Sequence, residues 1–177
     1  MNLPNPFFQV DQWTPFNVYT VQRDVKDPIR KLDEPRSSLA AKPLRRVVAA
    51  LILRGEGPTR EIFICQRRAG QPMGLKWEFP GGKIEPGETS EEALTRELDE
   101  ELAIHATIGS RITTIRHTYR NGGAIEIEFF LVRDFQREPV NRIFQQMLWS
   151  PFSRLPDYDF LSADLTLIRD LADGKLL

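Results

Sequence analysis

The sequence predicts an α/β fold: a mixed β-sheet with helices on its faces over residues 45–177, preceded by an N-terminal arm over residues 1–44. Three observations predict it. Apolar runs of strand length recur at 46–53 and 61–66, joined through Gly55, Gly57 and Pro58. A capped amphipathic helix follows at 90–102, and two alternating segments then flank Asn121-Gly122-Gly123.

Taken in order, the arm comes first. It holds six of the 13 prolines, yet also Phe7, Phe8, Trp13, Phe16 and Tyr19. Aromatics need somewhere to bury, so an arm packed on the core or on a second subunit, as in a homodimer, competes with a loose tail. Residues 16–21 alternate as a short strand would. Arg46 to Leu53 reads as a buried strand from its β-branched content, and Glu61 to Gln66 as its neighbour. Residues 67–76 are loop, and Trp77 to Phe79 is a short strand stopped by Pro80-Gly81-Gly82. The helix over 90–102 takes Thr89 as N-cap and Glu92 as the reciprocal half of a capping box. Strands follow at 107–119 and 124–134; in the second, Ile125, Ile127, Phe129 and Leu131 share a face opposite Glu126 and Glu128. A short strand at 146–149 and a closing helix at 162–171 complete the chain, with Leu165, Ile168 and Leu171 as the helix's inner stripe.

Composition narrows the function. With 24 Lys+Arg against 25 Asp+Glu, the net charge is −1, which argues against binding a nucleic acid polymer. One cysteine, Cys65, and two histidines exclude a disulfide framework and a Cys/His metal cluster. The longest apolar run, Val47 to Leu53, is too short to span a membrane, and the N-terminus lacks a signal-peptide layout. A cytoplasmic location is expected.

Residues 88–101 carry the chemistry. Glu97, Glu100 and Glu101 stand at i, i+3 and i+4 and so share a helix face, beside the apolar stripe Leu94, Leu98, Leu102. A solvated acidic face is one reading. The segment before it, Phe79-Pro-Gly-Gly-Lys-Ile-Glu-Pro-Gly-Glu88, favours another: glycines admit a ligand to the backbone, and clustered hard oxygens suit Mg²⁺ or Mn²⁺ bound with phosphates. No GxxxxGK[ST] loop is present, so a P-loop nucleotidase is not supported.

Gly82 to Ile104 resembles the Nudix box, G-x5-E-x7-R-E-U-x-E-E-x-G-U with U aliphatic. Gly82, Glu88, Arg96, Glu97, Leu98, Glu100, Glu101 and Ile104 match in register, and Ala103 stands where the pattern has glycine. Trp77-Glu-Phe-Pro-Gly-Gly-Lys83, Gln66-Arg67 and Phe160 to Ile168 are similar to the MutT-like branch. The resemblance implies a Nudix-type α/β/α sandwich. It also implies a site in which Glu97, Glu100, Glu101 and the Gly81 carbonyl hold Mg²⁺ or Mn²⁺, with Arg96 and Glu88 orienting the carboxylates. Arg67 and Lys83 would meet phosphates. The reaction implied is hydrolysis of a nucleoside triphosphate, oxidised dNTPs included, to the monophosphate and pyrophosphate. An ADP-ribose or nucleotide-sugar pyrophosphatase and a non-catalytic nucleotide-binding domain are the alternatives.

Asp164 matches a position at which MutT-like proteins meet the base, but it also suits the N-cap of the last helix. Phe79 is either a base-stacking platform or core. Ile143 falls where the branch often carries a further acid, in a run that keeps Gln145 and Trp149. Two substitutes are open: Glu138 swings in, or a box carboxylate works alone. On that alignment Ile143→Glu is expected to raise turnover.

Overall fold

Ten residues from Arg45 to Arg54 form β1, a strand buried on both faces. This computed structural model describes residues 44–120 and 122–177, so the arm expected over residues 1–44 lies, Leu44 aside, outside the described residues. β1 is followed by β2 (Glu61–Gln66), β3 (Trp77–Glu78), β4 (Gly81–Lys83) and helix α1 (Ser90–Leu102). Then come β5 (His105–Thr118), β6 (Ala124–Gln136), β7 (Gln146–Pro151) and α2 (Leu165–Ala172).

The strands run in the order β3-β2-β1-β6-β5, with β4 paired to β1 and β7 paired to β2. The sheet is mixed: β1 and β6 are parallel, with Val48 opposite Glu128, and the other pairings are antiparallel. Alternation along β1 divides the core in two. Ala49, Leu51 and Leu53 point to one side, with Ile127 and Phe129 of β6 and Leu167, Ile168 and Leu171 at α2. Val48, Ala50 and Ile52 point to the other, with Phe130 and Val132 and with Ala93, Leu94, Leu98 and Leu102 of α1. Each helix therefore covers one face of the sheet, as in an α/β/α sandwich. No helix among the described residues is long and apolar enough to cross a membrane.

α1 has the bounds its pattern predicts. Thr89 Oγ1 accepts from the Glu92 amide while Glu92 Oε2 accepts from the Thr89 amide, closing the capping box. Ala103 ends the helix at φ 58°, ψ 28°, a left-handed conformation that glycine adopts more easily. The last helix begins at Leu165, three residues later than the pattern predicts, because residues 161–164 form a turn closed by the Asp164 amide on the Leu161 carbonyl. β4 has little strand propensity of its own; Gly81 and Gly82 are held extended by pairing with Ala49 and Val48.

Candidate active site

α1 lies against β4, and Gly82 makes that approach possible, while Gly81 makes room for the β1 backbone. A Cβ on Gly82 would sit 2.1 Å from Glu97 Oε1, and one on Gly81 would sit 2.1 Å from the Val48 carbonyl oxygen. Gly81 also has φ +148°, a conformation L side chains rarely adopt. Its amide donates to Glu101 Oε2 at 3.0 Å. Two of the three box carboxylates are thus drawn onto the β4 backbone.

Arg96 organises the rest. It donates to both oxygens of Glu88, through Nε at 2.7 Å and Nη2 at 3.0 Å, and to the Lys83 carbonyl. Its Nη1 lies 3.0 Å from Glu97 and 3.7 Å from Glu100. The hydrogen bond from Arg96, with one from the Glu85 amide, lowers the Glu88 carboxyl to about 2. Glu101 moves the other way. Burial foremost, with Glu97 and Glu78 close by, pushes its carboxyl up to about 8 despite the Gly81 hydrogen bond. Glu100 instead faces outward, its side chain 59% exposed.

The three carboxylates do not converge into a closed cation cage among the described residues. Their chemistry still fits Mg²⁺ or Mn²⁺. All are hard oxygen donors on one rigid face, open on the side where phosphates and waters complete such a coordination sphere. Glu101, held near neutrality beside Glu97, is a group whose ionisation a divalent cation would favour.

On the other side of β4 opens a cavity of about 210 Å³, lined by Val47, Ala49, Phe79, Gly81, Gly82 and Ile127 among others. Arg67, Lys83, Glu78, Tyr119 and Asp164 bring polar groups to it. The tail reaches this cavity because Trp77 of β3 is bracketed by it: the Trp77 amide donates to the Asp159 carbonyl and the Leu161 amide to the Trp77 carbonyl.

Sequence-derived candidates fall in two places, the α1 side and the cavity. Glu88, Arg96, Glu97, Glu100 and Glu101 form the α1 side, with Gly81 between them and the cavity. Asp164 is 4% exposed and makes no capping hydrogen bond, so the cap reading loses its geometry. Burial, then Glu78, raises its carboxyl to about 7. Phe79 is 4% exposed and packs edge-on against Phe129, so it is core with one edge on the cavity. Lys83 is exposed at the rim. Arg67 is engaged rather than free: Nη1 donates to both Glu78 oxygens at 2.9 and 2.8 Å, and Nε to the Pro72 carbonyl.

Glu78 is the group that sequence reasoning missed. It is largely buried, and desolvation raises its carboxyl against the opposing effect of Arg67. Its place between Trp77 and Phe79, the reverse side of a two-aromatic alternation, is the signal that could have found it. Neither Ile143 nor Glu138 brings an acid to this site, which leaves a box carboxylate. Ile143 packs half-buried against the α1-side core, and Glu138 lies exposed beside Arg54, His105 and Arg137 in a separate depression.

Comparison with known proteins agrees with the fold and the box. The NUDIX domain family model matches residues 43–170. An 8-oxo-dGTP diphosphatase of Haemophilus influenzae is 37% identical over 124 residues, covering 70% of this chain and 89% of that protein. A CTP pyrophosphohydrolase of Escherichia coli is 35% identical over 122 residues, covering 69% and 87%. A solved MutT structure from work on Aliivibrio salmonicida and Vibrio cholerae superposes with a TM-score of 0.63 at 31% identity, covering 75% of this chain and 99% of that one. On the match across most of its length, this chain belongs to the Nudix family and is a MutT-like pyrophosphohydrolase.

Proposed function

We propose that the protein hydrolyses a nucleoside triphosphate, oxidised dNTPs included, to the monophosphate and pyrophosphate, with the base in the cavity and the phosphates at the β4–α1 junction. The observation that supports this most is the position of β4. Its glycines line a cavity to which Asp164 and Glu78 bring polar groups, and the same glycines meet Glu97 and Glu101 of α1. The similarity to an 8-oxo-dGTP diphosphatase and a CTP pyrophosphohydrolase points to the same substrate class.

Each residue then has a task. Glu97, Glu100 and Glu101, with the Gly81 carbonyl, would hold Mg²⁺ or Mn²⁺, which when bound neutralises phosphate oxygens and acidifies a water. Arg96 holds Glu97 in place and is itself fixed by Glu88. Lys83 meets phosphate at the rim, and Arg67 does so by exchanging Glu78 for a phosphate oxygen. Asp164 and Glu78 accept from N–H donors on the base edge. Glu101 would accept the proton of the attacking water, and Ile143 supplies no acceptor in its place. A homodimer through residues 1–44 and a cytoplasmic location belong to the same proposal. Light scattering with and without residues 1–40 checks the first, an unchanged subunit count arguing against it.

The experiment is a chromatographic screen of purified protein with Mg²⁺ against NTPs, oxidised dNTPs, ADP-ribose and a nucleotide sugar. Monophosphate and pyrophosphate from a triphosphate support the reading. Turnover of ADP-ribose or the nucleotide sugar alone, or binding without turnover, overturns it.

A further inference from the structure

One buried carboxylate takes no part in the site described above. Glu128 of β6 is 5% exposed and stands on the α1 side of the sheet. Arg46 Nη2 of β1 donates to its Oε1 at 2.9 Å, and Arg111 Nη1 of β5 donates to its Oε2 at 2.8 Å. The third partner is on the helix: Ser90 Oγ, in the first residue of α1, donates to Oε2 at 3.2 Å. Arg111 reaches Glu128 from a stretch of β5 where the ladder to β6 is irregular, with register shifts on both sides of it. A single carboxylate therefore links three strands to the start of the helix.

The other end of α1 is also tied down. The Val140 amide donates to the Leu102 carbonyl, the Arg142 amide to the Glu101 carbonyl, and Arg142 Nη1 to the Asp99 carbonyl at 2.7 Å. Between the two anchors lie Glu97, with no room for even a methyl group between it and Gly82, and Glu101 on the Gly81 amide. Clearance that small makes the axial position of α1 a functional quantity, since a displacement of about 1 Å in a reacting constellation can cost about 10²-fold in rate.

We infer that Glu128 is a positioning residue: through Ser90 it sets where α1 sits against β4, while its bonds to Arg46 and Arg111 hold the strands together. The effect on turnover rests on the functional reading above; the effect on helix position does not. A carboxylate is needed because two guanidinium groups and a hydroxyl must all be accepted at one buried point, which a glutamine, with one acceptor oxygen, cannot do.

The Gly81 amide reports helix position without any substrate, because its hydrogen bond to Glu101 exists only when α1 and β4 are in register. In full-length Glu128→Gln, Gly81 amide exchange is expected to accelerate about 10-fold or more relative to core amides of β2. kcat is expected to fall about 10-fold with KM within 2-fold. Ser90→Ala, a milder change that leaves both arginine pairs, gives the same pattern at about 3-fold, and adds nothing in the Glu128→Gln background. Arg46→Ala lowers the melting temperature but leaves the Gly81-to-core ratio and kcat unchanged. Should Glu128→Gln fail to fold, Ser90→Ala alone decides. An unchanged Gly81-to-core ratio in Ser90→Ala and in any folded Glu128→Gln overturns the inference. An accelerated ratio with unchanged kcat upholds it and overturns instead the assignment of turnover to the α1 face.

Discussion

Gly82 and Glu97 face each other so closely that the smallest possible side chain on Gly82 would lie 2.1 Å from the Glu97 carboxylate. The glycine is there for the space, since the neighbour it admits is a side chain from the opposing helix. Gly82→Ala therefore displaces Glu97 and leaves the fold in place. The expected result is a fall in kcat of about 10-fold or more with a melting temperature lowered by only a few degrees, measured by steady-state kinetics and calorimetry.

Asp164 makes stability depend on pH. Its folded carboxyl titrates near 7, above the ordinary 3.8, because of burial and then Glu78. Between about pH 4 and pH 7 the folded state keeps a proton the unfolded chain has released, so stability falls as pH rises through that window and stays reduced above it. Asp164→Asn removes this penalty. Denaturation is expected to show a gain of at most about 4 kcal/mol near pH 8 and none near pH 3. The same variant alters relative kcat/KM between bases, since the amide presents one acceptor where the carboxylate presents two.

Ala103 closes α1 at φ 58°. A left-handed alanine is strained relative to glycine, and the Ala103 side chain contributes only a methyl group to the core. Ala103→Gly is expected to stabilise the protein by about 0.5–1 kcal/mol in urea unfolding, with activity unchanged.

Much of this was legible locally. The capping box and the Leu94, Leu98, Leu102 stripe set both ends of α1, because those signals act within one or two helical turns. β2 was equally plain from its apolar run. What pattern could not show were the features made by long-range pairing. β4 is a strand only because β1 lies beside it, and α2 starts late because the tail turns around Trp77 before entering the helix. Glu128 alternates with apolar residues as a solvent-facing acid would, yet both faces of this sheet are covered and it is buried. Glu78 is hidden for the same reason. At the site, the spacing that places three carboxylates on one face could not say that Glu100 would face outward while Glu97 and Glu101 turn to β4.

Ile143 is a case where structure replaces a sequence expectation. Its side chain packs half-buried against the α1-side core, so Ile143→Glu places a charge among apolar groups instead of restoring an acid to the site. Thermal unfolding is expected to show a loss of about 1–3 kcal/mol, with no gain in kcat.

The most direct measurement is turnover of a nucleoside triphosphate by Glu101→Gln beside the wild type, with Mg²⁺ and with chelator. Burial raises the Glu101 carboxyl to about 8, so between about pH 4.5 and 8 its ionisation opposes folding increasingly as pH rises. The neutral amide escapes that cost, and the variant is expected to melt no lower than the wild type near pH 8. If Glu101 serves as ligand and proton acceptor, kcat falls about 10²-fold or more in this fully folded protein, and the wild type loses activity in chelator. Equal turnover by the variant, or undiminished wild-type activity in chelator, would contradict the account.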